Sequence, residues 1–333
     1  MSRRIIRLSK LSSRNNNAFI QKCVRFFSTG PYLTLGCNTG DVLLFDPAKE
    51  QIIVTLQGKT IPKELKDEEM IGASHGWGFF YDRRDLSVRM SDIFNPLASK
   101  SNPTVIPLPR LTDLPSEQIE QVCNVAMSSP SPLGDEDCVV AIKFSGDQLS
   151  LCRPGRDLEW TNTSTPSHCC IHFFSYHLND ENIEHHKLVY RDHPELDQSE
   201  WKTLSMCSRR EYLVESPSSD ERYLVKWYAQ GSYSSVLNGI DYKTKRFMVF
   251  REEETAEGKF MCYTEDIGEM CIFIASNETF CIPASSCPGL KPSTIYFMGH
   301  GFGSYDLTTG DTHHYKAPGG VITTPCWIPL VSI

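Results

Sequence analysis

Val140-Ala141-Ile142-Lys143-Phe144, then Gly146-Asp147, Leu149-Ser150-Leu151-Cys152, Pro154-Gly155 and finally Trp160: this stretch decides the fold. Two apolar runs flank a Gly-Asp turn, and a Pro-Gly pair ends the second run. Each run has the length of an ordinary strand, so the stretch reads as a β-hairpin followed by a large aromatic. The same grammar recurs along the chain. Gly76-Trp77 starts a strand, Arg83-Arg84-Asp85 turns it, Leu86 to Met90 returns, and Asn95-Pro96 and Pro107-Leu108-Pro109 come next. Tyr223 to Tyr228, Phe247 to Arg251 and Cys262-Tyr263 repeat it, and Ile295 to Gly299, Ser304 to Leu307 and Thr312 to Tyr315 close the series. The spacing is roughly 40–50 residues, the length of a propeller blade.

The rest of the chain agrees with a β-rich reading. Further short runs are Tyr32 to Leu35, Val42 to Phe45, Ile52 to Leu56, Cys170 to Tyr176, Lys187 to Tyr190, Glu211 to Glu215, Met270 to Ala275 and Thr279 to Ile282. Gly, Pro, Asn, Asp and Ser bound them. Helix is expected only at Glu64 to Met70 and Ser116 to Gln121. A four-stranded blade is too thin to bury its own apolar faces and needs neighbours on both sides. The expected fold is therefore all-β: a β-propeller of six or seven four-stranded blades over residues 30–333. The rival is a pair of β-sandwich domains. That rival needs a linker, and Asn95 to Pro109 and Ser128 to Asp137 read as blade loops instead.

Ahead of these repeats lies a segment of a different kind. Residues 1–30 contain no acid and hold Arg3, Arg4, Arg7, Lys10, Arg14, Lys22 and Arg25. On a helix of 3.6 residues per turn, Arg3, Arg7, Lys10 and Arg14 share one face while Ile5, Leu8 and Leu11 lie on another. Ser9, Ser12, Ser13 and Asn15-Asn16-Asn17 complete the acid-poor, Ser-rich character of an organelle presequence. Arg25-Phe26-Phe27-Ser28 matches a matrix-protease pattern that would cut between Phe27 and Ser28. The expectation is a disordered or helical presequence over residues 1–29. Its address is the mitochondrial matrix, with plastid or dual import as the alternative. The bland reading is a disordered basic tail, or a tail that binds nucleic acid.

The whole chain carries 33 basic and 41 acidic residues, a net of -8. With residues 1–30 set aside, 26 bases face 41 acids, a net of -15. An acidic body lacks the clustered cations that a general nucleic-acid binder needs. No apolar run approaches the ~20 residues of a spanning helix, so stable membrane insertion is not expected. Thirteen cysteines without a CxxC pair read as free, mostly buried thiols.

Motifs for chemistry are weak. Gly299-His300-Gly301-Phe302-Gly303 lacks the helix or the Lys-Ser/Thr of a phosphate loop and reads as a tight turn between blade strands. His168-Cys169-Cys170-x-His172 is the densest soft-ligand cluster, but it has no defined fourth ligand. Glu252-Glu253-Glu254 reads as a solvated loop tip, and the five tryptophans as about one core aromatic per blade. Asn277-Glu278-Thr279 matches a glycosylation acceptor without a secretory signal to give it meaning. No catalytic, cofactor-binding or metal-ligating residue is assigned, and no cofactor is expected.

The C-terminal third carries a family likeness. Asn277 to Ala284, Pro288-Gly289-Leu290-Lys291-Pro292, Ile295-Tyr296-Phe297, Gly301 to Leu307 and Pro325-Cys326-Trp327-Ile328-Pro329 stand in a characteristic order. Ser74-His75-Gly76-Trp77, Asn95-Pro96-Leu97, Cys152-Arg153-Pro154-Gly155 with Trp160-Thr161, and Tyr212 to Ser216 extend it upstream. Over residues 32 to 329 the chain resembles the plant domain-of-unknown-function 295 family, the KIB-type β-propellers. Many members carry an N-terminal F-box, which docks to a ubiquitin-ligase scaffold. The stretch before Tyr32 shows the presequence instead, like an organelle-targeted branch without the F-box. The resemblance implies a propeller and brings no catalytic residues.

The functional expectation is an organelle-targeted, non-enzymatic protein-interaction module. Its partners would be the import machinery and one or more unidentified proteins. Two alternatives stay open: an enzyme with its site in the channel mouth, and a substrate receptor of F-box descent in ubiquitin-dependent turnover. Convergent acids or histidines with perturbed pKa values in a central pocket would favour the enzyme. An exposed aromatic patch would favour the binding module.

Overall fold

The computed structural model describes residues 30–38, 41–54, 62–95, 98–99, 102–111, 122–134, 138–144, 148–164, 189–216, 221–235, 239–275, 277, 279–316 and 325–328. Within them the chain forms five sheets, the blades of an all-β propeller fold. The first holds β1 (Tyr32–Asn38), β2 (Asp41–Asp46), β3 (Gln51–Val54) and β21 (Trp327–Ile328) in the order β21-β1-β2-β3. The second holds β4 (Glu69–Ser74), β5 (Trp77–Asp82), β6 (Ser87–Ser91) and β7 (Val105–Leu108). The third holds β8 (Val122–Met127), β9 (Val140–Phe144), β10 (Gln148–Cys152) and β11 (Thr161–Ser164). The fourth is built from β12 (Ser208–Glu215), β13 (Arg222–Ser234), β14 (Gly239–Thr255) and β15 (Gly258–Thr264). The fifth is β17 (Phe280–Pro283), β16 (Met270–Ile274), β18 (Thr294–Gly299), β19 (Gly301–Asp306) and β20 (Thr312–His314), in that spatial order. It is five-stranded because β18 pairs parallel to β16 on the side away from β17.

The blade count corrects the expectation of six or seven. Two features absorb the residues assigned to further blades. The fourth sheet runs from Ser208 to Thr264 because β13 and β14 are 13 and 17 residues long. Ahead of it, residues 191–207 carry an irregular segment and a helix, α1 (Gln198–Ser205), rather than strands of another blade. Tyr190 makes only an isolated bridge to Met261, and the expected strand Cys170 to Tyr176 lies outside the described residues. The helix expected at Glu64 to Met70 is a short 3-10 turn, Lys63–Leu65, that leads into β4. The helix expected at Ser116 to Gln121 lies outside the described residues.

The sheets fall into two compact units, one with the first three sheets and one with the fourth and fifth. In each, the packing obeys the requirement that a thin blade be covered by neighbours. In the first unit, Phe79, Val88 and Met90 of the second sheet pack with Val125, Ile142 and Phe144 of the third. The opposite side of the second sheet, with Phe80 and Ala73, packs with Leu44 and Ile328 of the first. β9 is consequently buried at every position, which is why its sequence is an apolar run rather than an alternation. In the second unit, Tyr223, Val225 and Trp227 pack against Ile272, Ile295 and Phe297 of the fifth sheet. The intervening Leu224 and Tyr228 face the other way, toward Leu204 of α1 and Tyr190. That alternation is the period of two expected of a strand.

The first sheet joins the two ends of the chain. Leu33 pairs with Trp327, and Cys326 donates its N–H to Thr34 Oγ1 at 2.8 Å. Asn277 holds the same strand: its Nδ2 donates to the Trp327 carbonyl at 2.7 Å and its Oδ1 accepts the Trp327 N–H at 2.9 Å. The glycosylation-like Asn is thus a buried backbone clamp.

Four of the five tryptophans are core residues, in or beside the first four sheets: Trp327, Trp77, Trp160 and Trp227. The fifth sheet uses Phe273, stacked between Phe280 and Tyr296 at 5.0 Å each. Trp201 departs from the expectation and is exposed on α1. Of the eight free cysteines whose side chains are described, seven are buried and Cys207 is half-buried.

Candidate interaction surface

Gly299-His300-Gly301 is a turn within one sheet. It joins β18 to β19, with φ of 146° at Gly299 and 106° at Gly301, backbone that a side chain would strain. Its tip residue, His300, is only 6% exposed. The His300 carbonyl accepts from Thr244 Oγ1 at 2.6 Å, and Thr244 in turn accepts from Trp227 Nε1 at 3.0 Å. The imidazole lies edge-on to Trp227 at 5.2 Å and tilted over Tyr242 at 4.5 Å. Its Nε2 is buried without a hydrogen-bond partner. Burial, reinforced by the nearby Arg210 guanidinium, pushes its pKa down to about 4, so the ring is neutral at pH 7.

This cluster stands at the foot of a projecting ribbon. β12 begins at Ser208, opposite Ala229, and β15 ends at Thr264, opposite Val249. β13 and β14 continue beyond both as a two-stranded arm, with Gly231 opposite Tyr242 and Tyr233 opposite Ile240. The register slips between Tyr228 and Ala229, which makes Lys245 a bulge residue at the base of the arm. Bulges bend a strand and deepen its twist, and so re-aim the residues beyond them.

The arm is amphipathic. Residues two apart share a face, so Trp227, Ala229, Gly231 and Tyr233 of β13 lie with Thr244, Tyr242 and Ile240 of β14. The other face carries Gln230, Ser232, Ser234, Lys243 and Asp241. Toward the sheet the first face is buried; toward the tip it meets water, with Tyr233 72% and Ile240 61% exposed. Gly231 permits this arrangement, since a Cβ there would come within 2.9 Å of Ile240 and 3.2 Å of Tyr242. Met206, just ahead of β12, is exposed as well.

Sequence reasoning singled out His300 only as a turn residue and missed the arm. In the residues that make it, Gln230 to Ser234 and Gly239 to Lys245, Tyr233, Ile240 and Tyr242 stand singly among polar or small residues and form no long apolar run. Glu252-Glu253-Glu254 is not a loop tip but part of β14, with Lys259 Nζ 3.0 Å from Glu252 and 3.8 Å from Glu254. The helix α1 also escaped notice. Its signal was present in Asp197-x-x-Glu200, a capping box in which Asp197 accepts the Glu200 N–H at 2.8 Å.

Other places carry less. A shallow depression is lined by His193, Glu195, Tyr263, Thr264, Glu265 and Asp266. Asp266 is held by the Ser293 hydroxyl at 2.6 Å and the Gly268 N–H at 2.7 Å, which keep its carboxyl below the usual range. Glu265 accepts from the Tyr263 hydroxyl at 2.8 Å. Lys226 lies 3.9 Å over the Tyr190 ring and 4.7 Å over Phe250, where burial lowers its pKa; it pins the 190 segment to the sheet. Among the described residues no three His, Cys, Asp or Glu side chains are grouped to hold a metal ion, and no helix is long and apolar enough to cross a membrane. His168, Cys169, Cys170 and His172 lie outside the described residues, as do Arg3, Arg7, Lys10, Arg14, Arg25 and the Phe27–Ser28 bond.

Five sheets and one outlying apolar face define an all-β propeller with an exposed contact surface. Residues 44–319 match the KIB1-4 β-propeller, and the chain belongs to that family. None of the curated proteins compared with the chain matches it.

Proposed function

We propose that this protein is an organelle-targeted β-propeller of the F-box-less kind, imported into the mitochondrial matrix, where it acts by binding another protein rather than by catalysis. The observation that carries the reading is the exposed Tyr233–Ile240 pair at the end of an amphipathic ribbon. Two-stranded ribbons are marginal in water, and an outlying apolar face is the usual mark of a partner site. The address rests on the acid-free, Arg-rich residues 1–29, which include a protease-like pattern for cleavage between Phe27 and Ser28.

Fusing residues 1–60 to a fluorescent reporter tests the address; mitochondrial signal supports it and purely cytosolic signal removes it. Proximity labelling from the intact protein tests the role. Partners recovered with the native chain should be lost with Tyr233→Ser/Ile240→Asp.

A further inference from the structure

Arg210 is exposed at the base of the ribbon, and among the described residues it has no carboxylate partner. It pairs across the strands with Trp227, and therefore shares the sheet face that runs outward through Gly231 to Tyr233. Its guanidinium lies 3.8 Å from the point where a Cβ on Gly299 would stand, and that point is 3.2 Å from the Trp227 ring. Glycine at 299 therefore leaves open the space beside Arg210 and above the indole. Next to it sits His300, with an unpartnered Nε2 and burial above nine-tenths. Lys243 and Lys245, on the same arm, are also exposed and have no ion-pair partner among the described residues. Lys243 lies with Asp241 on the other face, so Arg210 is the unanswered cation of the apolar face, with Lys245 at the bulge below it, on a body whose residues beyond 30 carry a net charge of -15.

Resting on the interaction reading above, we infer that the ribbon receives an extended, acidic polypeptide segment. One carboxylate of that segment is bound by Arg210 and the His300 Nε2, and its apolar side chains cover Tyr242, Ile240 and Tyr233. The arm fits such a ligand in three respects. Both ribbon edges run past their neighbouring strands, so a third strand can add by backbone pairing. The seven residues from Trp227 to Tyr233 span roughly 20 Å, the reach of a six- or seven-residue extended segment. The Arg210 guanidinium is complementary to an acid, and the small apolar area of the arm falls short of a stable dimer with a second copy.

The test uses the full chain without residues 1–29 and two fluorescein-labelled, acetylated eight-residue peptides: alternating Glu-Val, and the same with Gln for Glu. Fluorescence anisotropy should show saturable binding of the Glu peptide, about tenfold weaker binding of the Gln peptide, and loss of that preference in Arg210→Gln. His300→Phe keeps the ring and removes Nε2, and should weaken the Glu peptide several-fold. Arg83→Gln, in the turn between β5 and β6, should change nothing. Equal binding of the two peptides, with loss in Ile240→Asp, would overturn acid recognition and leave the interaction surface standing. Binding of neither peptide would overturn the proposal. It is equally overturned by tighter binding of a single-stranded oligonucleotide through Arg210, or by self-association in sedimentation that Ile240→Asp abolishes.

Discussion

Asn277 and His300 show how much can hang on single buried polar groups. Asn277 satisfies both backbone groups of Trp327, and its own side-chain atoms gain partners in return. Asn277→Ala leaves those groups unmade, and each such group costs about 1–3 kcal/mol. Chemical unfolding of the variant should therefore show a loss of about 2 kcal/mol or more, and Asn277→Asp, which sets a buried carboxylate oxygen against the Trp327 carbonyl, should not restore it. His300 gives a pH signature. Its pKa is about 4 in the folded chain against an ordinary 6.5. Between those values the unfolded chain binds a proton that the folded chain refuses. Stability therefore falls as pH drops from 6.5 toward 4, and this group adds no slope above 6.5. Arg210 adds to the burial that sets this window. Melting curves across pH 4–7 should show a shallower slope for His300→Gln than for the native chain.

At the scale of elements, the ribbon separates what folds the protein from what it presents. Trp227 and Phe247, stacked at 5.1 Å, belong to the core, and burying such a side chain contributes about 1.5–3 kcal/mol. Tyr233 and Ile240, further along the same two strands, are exposed and contribute little. Tyr233→Ser/Ile240→Asp should thus shift the melting temperature by no more than a degree or two, as surface substitutions do. The same division explains what the sequence disclosed. Strands such as Val140–Phe144 and Met270–Ile274 are legible because stacking buries both faces and forces an apolar run. The outer half of β14 is illegible because its order comes from pairing with β13 across a bulge, not from its own composition. The Gly299-His300-Gly301 turn was legible from its glycines alone. The neighbourhood of His300 was not, since Arg210, Trp227 and Tyr242 come to it from other strands.

For the whole molecule, the blade grammar announced a propeller but miscounted it. A period read from the sequence assigns every β-rich run to a blade, whereas here one sheet spends its length on an arm and the chain ahead of it on α1. The first sheet depends on both chain ends. Without β21, the buried Leu33, Thr34 and Leu44 lose their cover, and Asn277 loses its partner. A chain ending at 324 should consequently melt at markedly lower temperature and bind a hydrophobic dye, as measured by circular dichroism and dye fluorescence.

A propeller that works through the uncovered outer end of its β13–β14 ribbon must lose its partners when that end is made polar. Proximity-labelled partners can be quantified from cells expressing the native chain or Tyr233→Ser/Ile240→Asp at equal levels. Specific partners should fall to background in the variant while its melting temperature is preserved. Recovery of the same partners in the same amounts from both chains would contradict a role for this end.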